Sequence, residues 1–550
     1  TALDEACDEG TILASNTSAL SVNALAEATG RPDRFVGLHF FYHPAKNRLI
    51  EVIPAETTSK DTLERTVQYC RTLGKVVIVC KDRPGFVVNR FFVPWLNEAC
   101  LLLEEGIATA AQIDAISCKA FRIGLGPFGL MNLTGPPIAL HSTDYLAEQL
   151  NTSRYNGAQN LRDLVAENAM WPIEDESEYT QDQYTTVSER LLGVVFGVAA
   201  QIVEEDICSM EDVDRGAKVG LRWARGPFEM MNRIGVAEAY RMAQSYQAIA
   251  GEAWTLPAFF KDQSDASTNW DFSYVDSSIE DGIATITINR PEAMNALNEV
   301  VIAQLTEAVQ AANADSNVTT IVLDGAGKAF VAGADVKFFV DKIRSGDIPD
   351  IETFTENGHI LLAALEDSTK TTLALTTGLA LGGGLELALA CDYRIGTRRT
   401  QFRFPETSIG IYPALGGTQR PARIAGRELG RWAVLAGNFM NAETANDLGL
   451  VTHLVDINDV PNCIKDIHAS GKPDNKYPGK PMNENSPVVK FAKKFFSDGN
   501  MAALLAGSCP DGFDAEDKTV ARQLKSLKFT APIGLAMASE RIDATASMSL

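Results

Sequence analysis

Two glutamates beside a run of glycines are the residues of this sequence whose types and spacing best suit acid–base chemistry. Gly382, Gly383 and Gly384 open an apolar stretch that contains Glu386, and Glu406 follows in the tripeptide Phe-Pro-Glu. Glycines allow a backbone to approach a ligand closely, and the free amides at a helix start can polarise an oxygen atom. Because two carboxylates around one site can act as acid and base on water, the pattern predicts a site that works on water.

The segment 330–335, Phe-Val-Ala-Gly-Ala-Asp, is a loop of small residues that follows a predicted strand. Such a loop can bring a second backbone N–H group to the same oxygen atom. The alternative is a glycine-rich turn with two unrelated surface glutamates. Each motif alone leaves that alternative open, whereas the three motifs in this order favour a single site.

Residues 276–460 resemble the crotonase superfamily and, within it, the enoyl-CoA hydratases. The matching segments are Ala-Gly-Ala-Asp at 332–335, Gly-Gly-Gly-Leu-Glu-Leu-Ala at 382–388, Phe-Pro-Glu-Thr at 404–407 and Gly-Gly-Thr-Gln at 416–419. The resemblance implies an oxyanion hole formed by the backbone N–H groups of Ala334 and Gly383. It also implies that Glu386 and Glu406 hold the attacking water, and the presence of both acids favours hydration over isomerisation or thioester hydrolysis.

The same resemblance implies that the substrate is a coenzyme A ester. Its coenzyme A part is expected to bind along the loop from Ala332 to Val336 and near Met294. The helices that end the chain resemble the trimerisation segment of the family.

A histidine and a second glutamate stand in two apolar segments that are predicted to be strands, Phe35 to Phe41 and Leu49 to Ile53. His39 lies in the first strand and Glu51 in the second. A buried carboxylate is costly unless it is paired, so the sequence predicts a His39–Glu51 pair in which the carboxylate orients the imidazole as a base. A buried histidine satisfied by other groups is the alternative.

Two further polar positions flank this pair. The segment Ser15–Ser18 follows a predicted strand and is predicted to cap a helix from Ser18 to Thr29. Asn89 follows Pro-Gly-Phe-Val-Val and is predicted to stand at another helix start.

Residues 1–260 resemble the 3-hydroxyacyl-CoA dehydrogenases. The resemblance implies that His39 removes the hydroxyl proton of the substrate, with Glu51 as its partner. It implies that Ser18 and Asn89 contact the substrate oxygen, that Asn16 and Ser18 contact the cofactor, and that NAD accepts the hydride.

The sequence departs from this family in two places. The usual His-Phe-Phe-Asn-Pro reads His-Phe-Phe-Tyr-His at residues 39–43, with Pro44 after it. The Gly-x-Gly-x-x-Gly pattern that holds the NAD pyrophosphate does not precede these motifs. Its only literal match, at residues 124–129, follows no strand and is rejected. We therefore expect a chain that is truncated at both ends and that lacks its main dinucleotide cradle.

Four kinds of region must position these residues. The predicted fold class is α/β plus all-α. The motif Gly-Pro-Phe, followed by Met-Asn, occurs at residues 126 and 226, and further matches share this offset, which indicates two copies of one helical module. A polar linker is expected at 261–274. The predicted regions are the C-terminal part of a Rossmann-type NAD-binding domain at 1–82, repeated dehydrogenase modules at 83–180 and 181–262, a crotonase core with a ββα spiral at 275–460, and a helical oligomerisation region at 461–550.

Composition limits the remaining function classes. The 49 Lys and Arg residues against 71 Asp and Glu give a net charge of -22, which disfavours nucleic acids and anionic membranes as partners. No apolar run is expected to span a membrane, and the N-terminus does not resemble a signal peptide. The nine cysteines include no Cys-x-x-Cys and the six histidines no His-x-x-x-His, so the sequence predicts a reducing cytoplasm and no catalytic metal.

These observations predict a bifunctional enzyme that hydrates an enoyl-CoA and oxidises the resulting 3-hydroxyacyl-CoA. The order, dehydrogenase before hydratase, resembles the fused enzymes of archaea. We expect an acyl-CoA substrate and a homo-oligomer, either a crotonase-type trimer or a dehydrogenase-type dimer. Two alternatives remain: a hydratase whose dehydrogenase half is a scaffold, and a non-enzymatic acyl-CoA-binding assembly module.

Overall fold

A computed structural model describes residues 2–18, 20–173, 177–251, 254–474 and 481–544. The chain divides into two units, Thr1–Phe272 (unit 1) and Ser273–Leu550 (unit 2). The finer boundaries expected from the sequence stay predictions.

Unit 1 begins with a four-stranded sheet that is parallel except between its two central strands. In spatial order, the strands are β1 (Leu13–Ser15), β2 (Phe35–Phe40), β3 (Leu49–Pro54) and β4 (Val76–Val79). Three helices accompany them, α1 (Ala2–Ala6), α2 (Val22–Glu27) and α3 (Lys60–Thr72). The run Leu-Ile-Glu-Val-Ile of β3 is buried along its whole length, as expected for a strand covered on both faces.

The helix predicted from Ser18 to Thr29 is shorter, because its cap lies elsewhere. It begins at Val22, and the Ser21 hydroxyl accepts the hydrogen bond of the Ala24 amide. Ser21 also donates to Asp82, which lies after β4, while Thr17 bonds the backbone of Leu20 in a turn before the helix. The predicted capping role of Ser15–Ser18 is therefore wrong.

The rest of unit 1 is helical. Its helices are α4 (Val88–Glu104), α5 (Ala110–Phe121), α6 (Pro127–Thr134), α7 (Pro136–Gln149), α8 (Gln159–Ala166), α9 (Gln181–Glu204), α10 (Met210–Arg215), α11 (Pro227–Ile234), α12 (Val236–Ala250) and α13 (Ala258–Ala266). Helix α13 occupies the start of the expected polar linker at 261–274. The boundary between the two units lies within the expected linker, but the first residues of that segment are helical and Trp270 is buried in the helical core.

The two helical modules repeat the same internal contacts, which confirms the duplication. Asp114 accepts from the first amides of α6 at 2.8 and 2.9 Å, and Asp214 accepts from those of α11 at the same distances. The side-chain amide of Asn132 forms two hydrogen bonds with the backbone of Trp171. The side-chain amide of Asn232 forms the equivalent two with the backbone of Trp270.

Reciprocal ion pairs join the two modules. Arg90 of the first module binds Glu205 of the second at 2.6 Å, and Arg190 of the second binds Glu105 of the first. The arginine of each module thus binds the equivalent glutamate of the other module. Such reciprocal contacts are typical of an isologous dimer interface. The modules are thus arranged as a dimer within one chain.

Helix α9 contradicts the expectation that no apolar run is long enough to span a membrane. By length and composition it is apolar enough to span a bilayer, although no such run was expected. Of its most apolar 18-residue window, 72% is buried inside the protein, and central helices of helical cores have the same composition.

Unit 2 contains two sheets built from successive strand pairs. The six-stranded sheet has the order β14 (His453–Leu454), β11 (Tyr393–Gly396), β9 (Thr371–Thr376), β7 (Thr320–Gly325), β6 (Ile283–Ile288) and β5 (Val275–Glu280). The four-stranded sheet has the order β13 (Met440–Asn441), β12 (Gln401–Arg403), β10 (Leu379–Leu381) and β8 (Ala329–Val331). Because the pairs β7–β8, β9–β10 and β11–β12 each give one strand to each sheet, the predicted ββα spiral is confirmed.

Helices follow these pairs and continue to the end of the described chain. They are α14 (Glu299–Ala314), α15 (Val336–Ser345), α16 (Ile348–Glu366), α17 (Gly383–Leu389), α18 (Arg420–Ala425), α19 (Arg427–Val434), α20 (Ala442–Asp447), α21 (Val460–Ser470), α22 (Pro487–Phe495), α23 (Met501–Leu505), α24 (Lys518–Lys528) and α25 (Pro532–Asp543).

Candidate active sites

The glycine run of unit 2 forms a tight turn between β10 and α17. Gly382 has φ 48° and ψ -124°, a conformation that only glycine adopts readily. A Cβ atom on Gly382 would lie 2.3 Å from the Oε1 atom of Glu406, and one on Gly384 would lie 2.1 Å from the carbonyl oxygen of Val331. The turn therefore needs glycine both to admit a carboxylate and to pack against β8.

Two backbone amides at this turn lack acceptors. The loop after β8 touches the turn, because a Cβ on Gly333 would lie 3.4 Å from the carbonyl oxygen of Leu381. Across the described parts of the chain, neither the Ala334 amide nor the Gly383 amide donates a hydrogen bond to the protein. Gly383 also begins α17, where the amides carry the positive end of the helix dipole. These are the donors that an oxyanion hole requires.

Glu386 lies in the first turn of α17 and is only 2% exposed. Its Oε1 atom accepts a hydrogen bond of 2.7 Å from the Gly417 amide. Burial raises the pKa of Glu386 to about 7, although the amides of Gly417 and Leu415 and the charge of Arg420 act in the opposite direction. At neutral pH this carboxyl group can therefore either accept or hold a proton.

Glu406 follows β12 and is 8% exposed. Its Oε2 atom is buried and has no hydrogen-bond partner among the described residues. Burial and the nearby charge of Glu386 raise the pKa of Glu406 well above its ordinary value. When two close carboxyl groups cannot both ionise, one keeps its proton. The arrangement therefore supplies an acid in Glu406 beside a base in Glu386.

A buried ion pair that the sequence did not reveal supports the loop carrying Gly417. Arg420 binds both oxygens of Glu366 at 2.9 and 3.0 Å and also donates to the carbonyl of Leu415. Bidentate Arg–carboxylate contacts fix orientation as well as adding energy. Gln-Arg directly after the Gly-Gly-Thr segment was the available signal, but its partner lies 54 residues away.

The predicted coenzyme A segments lie together. The Met294 carbonyl accepts a hydrogen bond of 3.1 Å from the Ala332 amide. Val336 begins α15 and is exposed, as is the neighbouring cation Lys337, which suits an anionic ligand. Sequence reasoning missed Asn295, which is fully buried in a left-handed conformation and donates to three carbonyls, including that of Phe330.

In unit 1, His39 and Glu51 face each other on strands β2 and β3. The predicted pair is confirmed: His39 Nδ1 lies 2.6 Å from Glu51 Oε2. The other oxygen of Glu51 accepts from the amides of Val87 and Val88 at 3.2 and 2.9 Å, at the start of α4. A fully buried carboxylate is stable here because the helix start and the imidazole satisfy both oxygens. With Nδ1–H donating to Glu51, Nε2 is left to act as the base.

Two phenylalanines hold the imidazole ring. The centroid of His39 lies 4.6 Å from that of Phe41 and 5.7 Å from that of Phe86. Phe86 has φ 46° and follows Gly85 with φ 77°. A non-glycine residue in this region is strained, and such strain commonly persists at functional sites.

The other residues that were predicted for this site differ in their hydrogen-bond partners. Asn16 accepts a hydrogen bond of 3.2 Å from the Phe40 amide, beside His39. Asn89 is the second residue of α4, and its side chain has no partner among the described residues. The exposed Ser18 likewise has no hydrogen-bond partner within the described ranges, and no contact joins it to His39. Asn16, beside His39, is a polar group that could face the nicotinamide end of NAD. Among the described residues, no group of His, Cys, Asp and Glu side chains could hold a metal ion.

These two sites define a protein with a crotonase-type unit and a dehydrogenase-type unit. Family models agree with that division. The description "Enoyl-CoA hydratase/isomerase" matches residues 283–550, "3-hydroxyacyl-CoA dehydrogenase, NAD binding domain" matches 1–83, and "3-hydroxyacyl-CoA dehydrogenase, C-terminal domain" matches 85–177 and again 187–266.

Individual relatives divide in the same way. A crotonyl-CoA hydratase of Syntrophomonas wolfei is 33% identical over 40% of this chain and 80% of its own length. A mitochondrial hydroxyacyl-coenzyme A dehydrogenase of Sus scrofa is 40% identical over 30% of this chain and 53% of its own. A fatty acid oxidation complex subunit alpha of Shewanella amazonensis is 31% identical over 47% of this chain and 40% of its own.

The chain belongs to the enoyl-CoA hydratase/isomerase family, and its first half carries both domains of the 3-hydroxyacyl-CoA dehydrogenases. It spans about half the length of the mitochondrial dehydrogenase that it matches.

Proposed function

We propose that unit 2 hydrates trans-2-enoyl-CoA to (S)-3-hydroxyacyl-CoA and that unit 1 oxidises this product to 3-oxoacyl-CoA with NAD. The observation that carries the proposal is the buried pair Glu386 and Glu406 beside two backbone amides without acceptors. The His39–Glu51 pair supports the second reaction. A crotonyl-CoA hydratase among the relatives favours a short acyl chain.

In unit 2, the thioester oxygen accepts hydrogen bonds from the Ala334 and Gly383 amides. These donors stabilise the negative charge that develops on this oxygen as the enolate forms. Glu386, oriented by the Gly417 amide, removes a proton from water while the oxygen of that water bonds to C3. Glu406 delivers its proton to C2. One water is added across the double bond, and a proton returns from Glu386 to Glu406.

In unit 1, Nε2 of His39 removes the proton of the 3-hydroxyl group, and Glu51 stabilises the resulting imidazolium. Bound NAD supplies the acceptor for the hydride that leaves C3. Asn16, Asn89 and Ser18 are proposed to orient the substrate and the nicotinamide; the hydrogen bond of Asn16 beside His39 and the position of Asn89 at the start of α4 support the first two.

The test is sequential. Crotonyl-CoA is added alone and loss of the enoyl absorbance is followed; NAD is then added and NADH is measured. Hydration followed by NADH supports both reactions. Hydration without NADH supports the alternative of a hydratase whose dehydrogenase half is a scaffold. Absence of hydration with short and long enoyl-CoA esters contradicts the proposal.

The cellular setting is part of the same proposal. The acidic composition and the cysteine pattern support a cytoplasmic protein that binds neither nucleic acid nor membrane. An archaeal type of fusion and a homo-oligomeric assembly stay predictions, and size measurement in solution tests the latter.

A further inference from the structure

Three arginines line a surface cavity of unit 1 whose lining does not include His39 or Glu51; Arg122 and Arg233 are exposed and Arg225 is partly buried. The cavity has a volume of about 320 Å³ and is lined by residues of both helical modules. Arg122 comes from the end of α5 in the first module, whereas Arg225 precedes α11 and Arg233 lies within it in the second. The cavity therefore exists only where the two modules meet.

The positive charge of this cluster is not neutralised by the protein. Among the described residues, none of the three guanidinium groups forms an ion pair with a carboxylate. Two carboxylates lie near, but Glu189 pairs with Arg241 at 2.9 Å and Glu229 with Lys218 at 2.6 Å. In a chain of net charge -22, three neighbouring cations without acidic partners need a different explanation.

The three arginines line one cavity, and their charges affect one another. Burial lowers the pKa of Arg225, and the charges of Arg233 and Arg122 lower it further. Like charges placed together destabilise the protein unless something offsets them. A bound anion would remove that cost, and guanidinium forks match the oxygens of a phosphate group.

The duplication shows that the fold does not require Arg225 or Arg233, whereas Arg122 corresponds to Arg222 in the second module. At the offset of 100 residues, Arg225 corresponds to Leu125 and Arg233 to Leu133 in the first module. Leu125 precedes α6 and Leu133 lies within it; this helix keeps its contacts with Asp114, and the two leucines are 37% and 57% exposed. The second module has arginines where the first keeps apolar side chains, so they serve something other than packing.

Part of the cavity lining is apolar and consists of Phe121, Leu192, Met230 and Met242. The polar residues Tyr184, Thr185 and Ser188 line it too, as does Glu189, which pairs with Arg241. Cations beside an apolar surface suit a ligand that has an anionic head and a small apolar or aromatic body. A free inorganic ion would leave this surface unused.

We infer that the junction of the two helical modules is a binding site for a phosphate monoester with a small apolar or aromatic body, held by Arg122, Arg225 and Arg233. The site is separate from both proposed reactions. Because both modules contribute to it, the ligand links them and stabilises unit 1.

The test measures binding of phenyl phosphate and inorganic phosphate by calorimetry at constant ionic strength. The variant Arg225→Leu/Arg233→Leu installs the residues of the first module and is expected to fold. A control, Arg222→Asn/Lys261→Gln, removes two exposed cations that do not line the cavity. Catalytic rates of both variants serve as folding controls.

The inference expects saturable binding of phenyl phosphate, about tenfold or more tighter than inorganic phosphate. We expect the Leu variant to weaken it at least about tenfold and the control to bind like the parent. Phenyl phosphate should also raise the melting temperature of the parent and not that of the Leu variant. Equal binding by the Leu variant and the control, or no preference for the phenyl ester, would overturn the inference.

Discussion

Glu51 of unit 1 and Glu406 of unit 2 are both carboxyl groups withdrawn from water, but their hydrogen bonds differ. Both oxygens of Glu51 have partners, His39 on one side and the amides of Val87 and Val88 on the other. The Oε2 atom of Glu406 has none among the described residues. A buried carboxylate with partners can keep its charge, whereas one without partners is driven toward its protonated form.

The difference separates two uses of a buried acid. Glu51 holds the imidazole of His39 in one orientation and balances the charge that His39 gains. Glu406 itself gives up a proton, because the protein leaves its charged form unsupported. Protein stability is lowered at Glu406 to obtain reactivity, which is a recurrent property of catalytic sites.

The largest expected effect tests the base of unit 2. Glu386→Gln removes the group that accepts the water proton but keeps its size and can keep a contact with Gly417. We expect hydration of crotonyl-CoA to fall by about 10²- to 10⁴-fold, with coenzyme A ester binding retained. The exposed Glu443→Gln is the matched control. Unchanged hydration in Glu386→Gln would remove Glu386 from the mechanism.

Glu51→Gln tests whether this residue acts only through His39. The neutral amide cannot stabilise the imidazolium, so we expect oxidation of 3-hydroxybutyryl-CoA to fall by about 10²-fold or more, with hydration unchanged. The loss should appear in kcat with KM little changed, because Glu51 contacts His39; a merely structural residue would alter both constants. Glu64→Gln, exposed on α3, is the control.

The His39–Glu51 pair could be predicted from the sequence, because the cost of burying a charged group is visible in the local pattern of residues. A carboxylate inside Leu-Ile-Glu-Val-Ile needs a partner, and His39 was the polar group available. The cap of α2 could not be predicted, since the choice of Ser21 over Ser18 depends on Asp82, which is distant in sequence. The orphaned oxygen of Glu406 and the junction of Arg122 with Arg225 also depend on packing between segments that share no local pattern.

The free energy of unfolding should also distinguish Glu51 from Glu406. Glu51→Gln disturbs three hydrogen bonds and is expected to destabilise unit 1 by about 1–3 kcal/mol. Glu406→Gln removes a group whose pKa is raised on folding. The parent therefore loses stability as the pH rises toward the raised pKa, whereas the variant does not.

At pH 8 we accordingly expect Glu406→Gln to be more stable than the parent by about 1–2 kcal/mol, and at pH 4 the two to be nearly equal. Hydrogen exchange followed by mass spectrometry reports each unit separately. A variant that is less stable than the parent at pH 8 would mean that Glu406 is charged and satisfied in the folded protein, like Glu51.

The smallest effect concerns the pH dependence of hydration. The pKa of Glu386 is raised to about 7, and the base must be ionised to take a proton from water. Hydration should therefore decline below about pH 7 and, well below it, fall about tenfold for each pH unit. Binding of the coenzyme A ester, measured over the same range, controls for changes in affinity. A hydration rate that stays level down to pH 5 would place the pKa of Glu386 near the ordinary range for a glutamate.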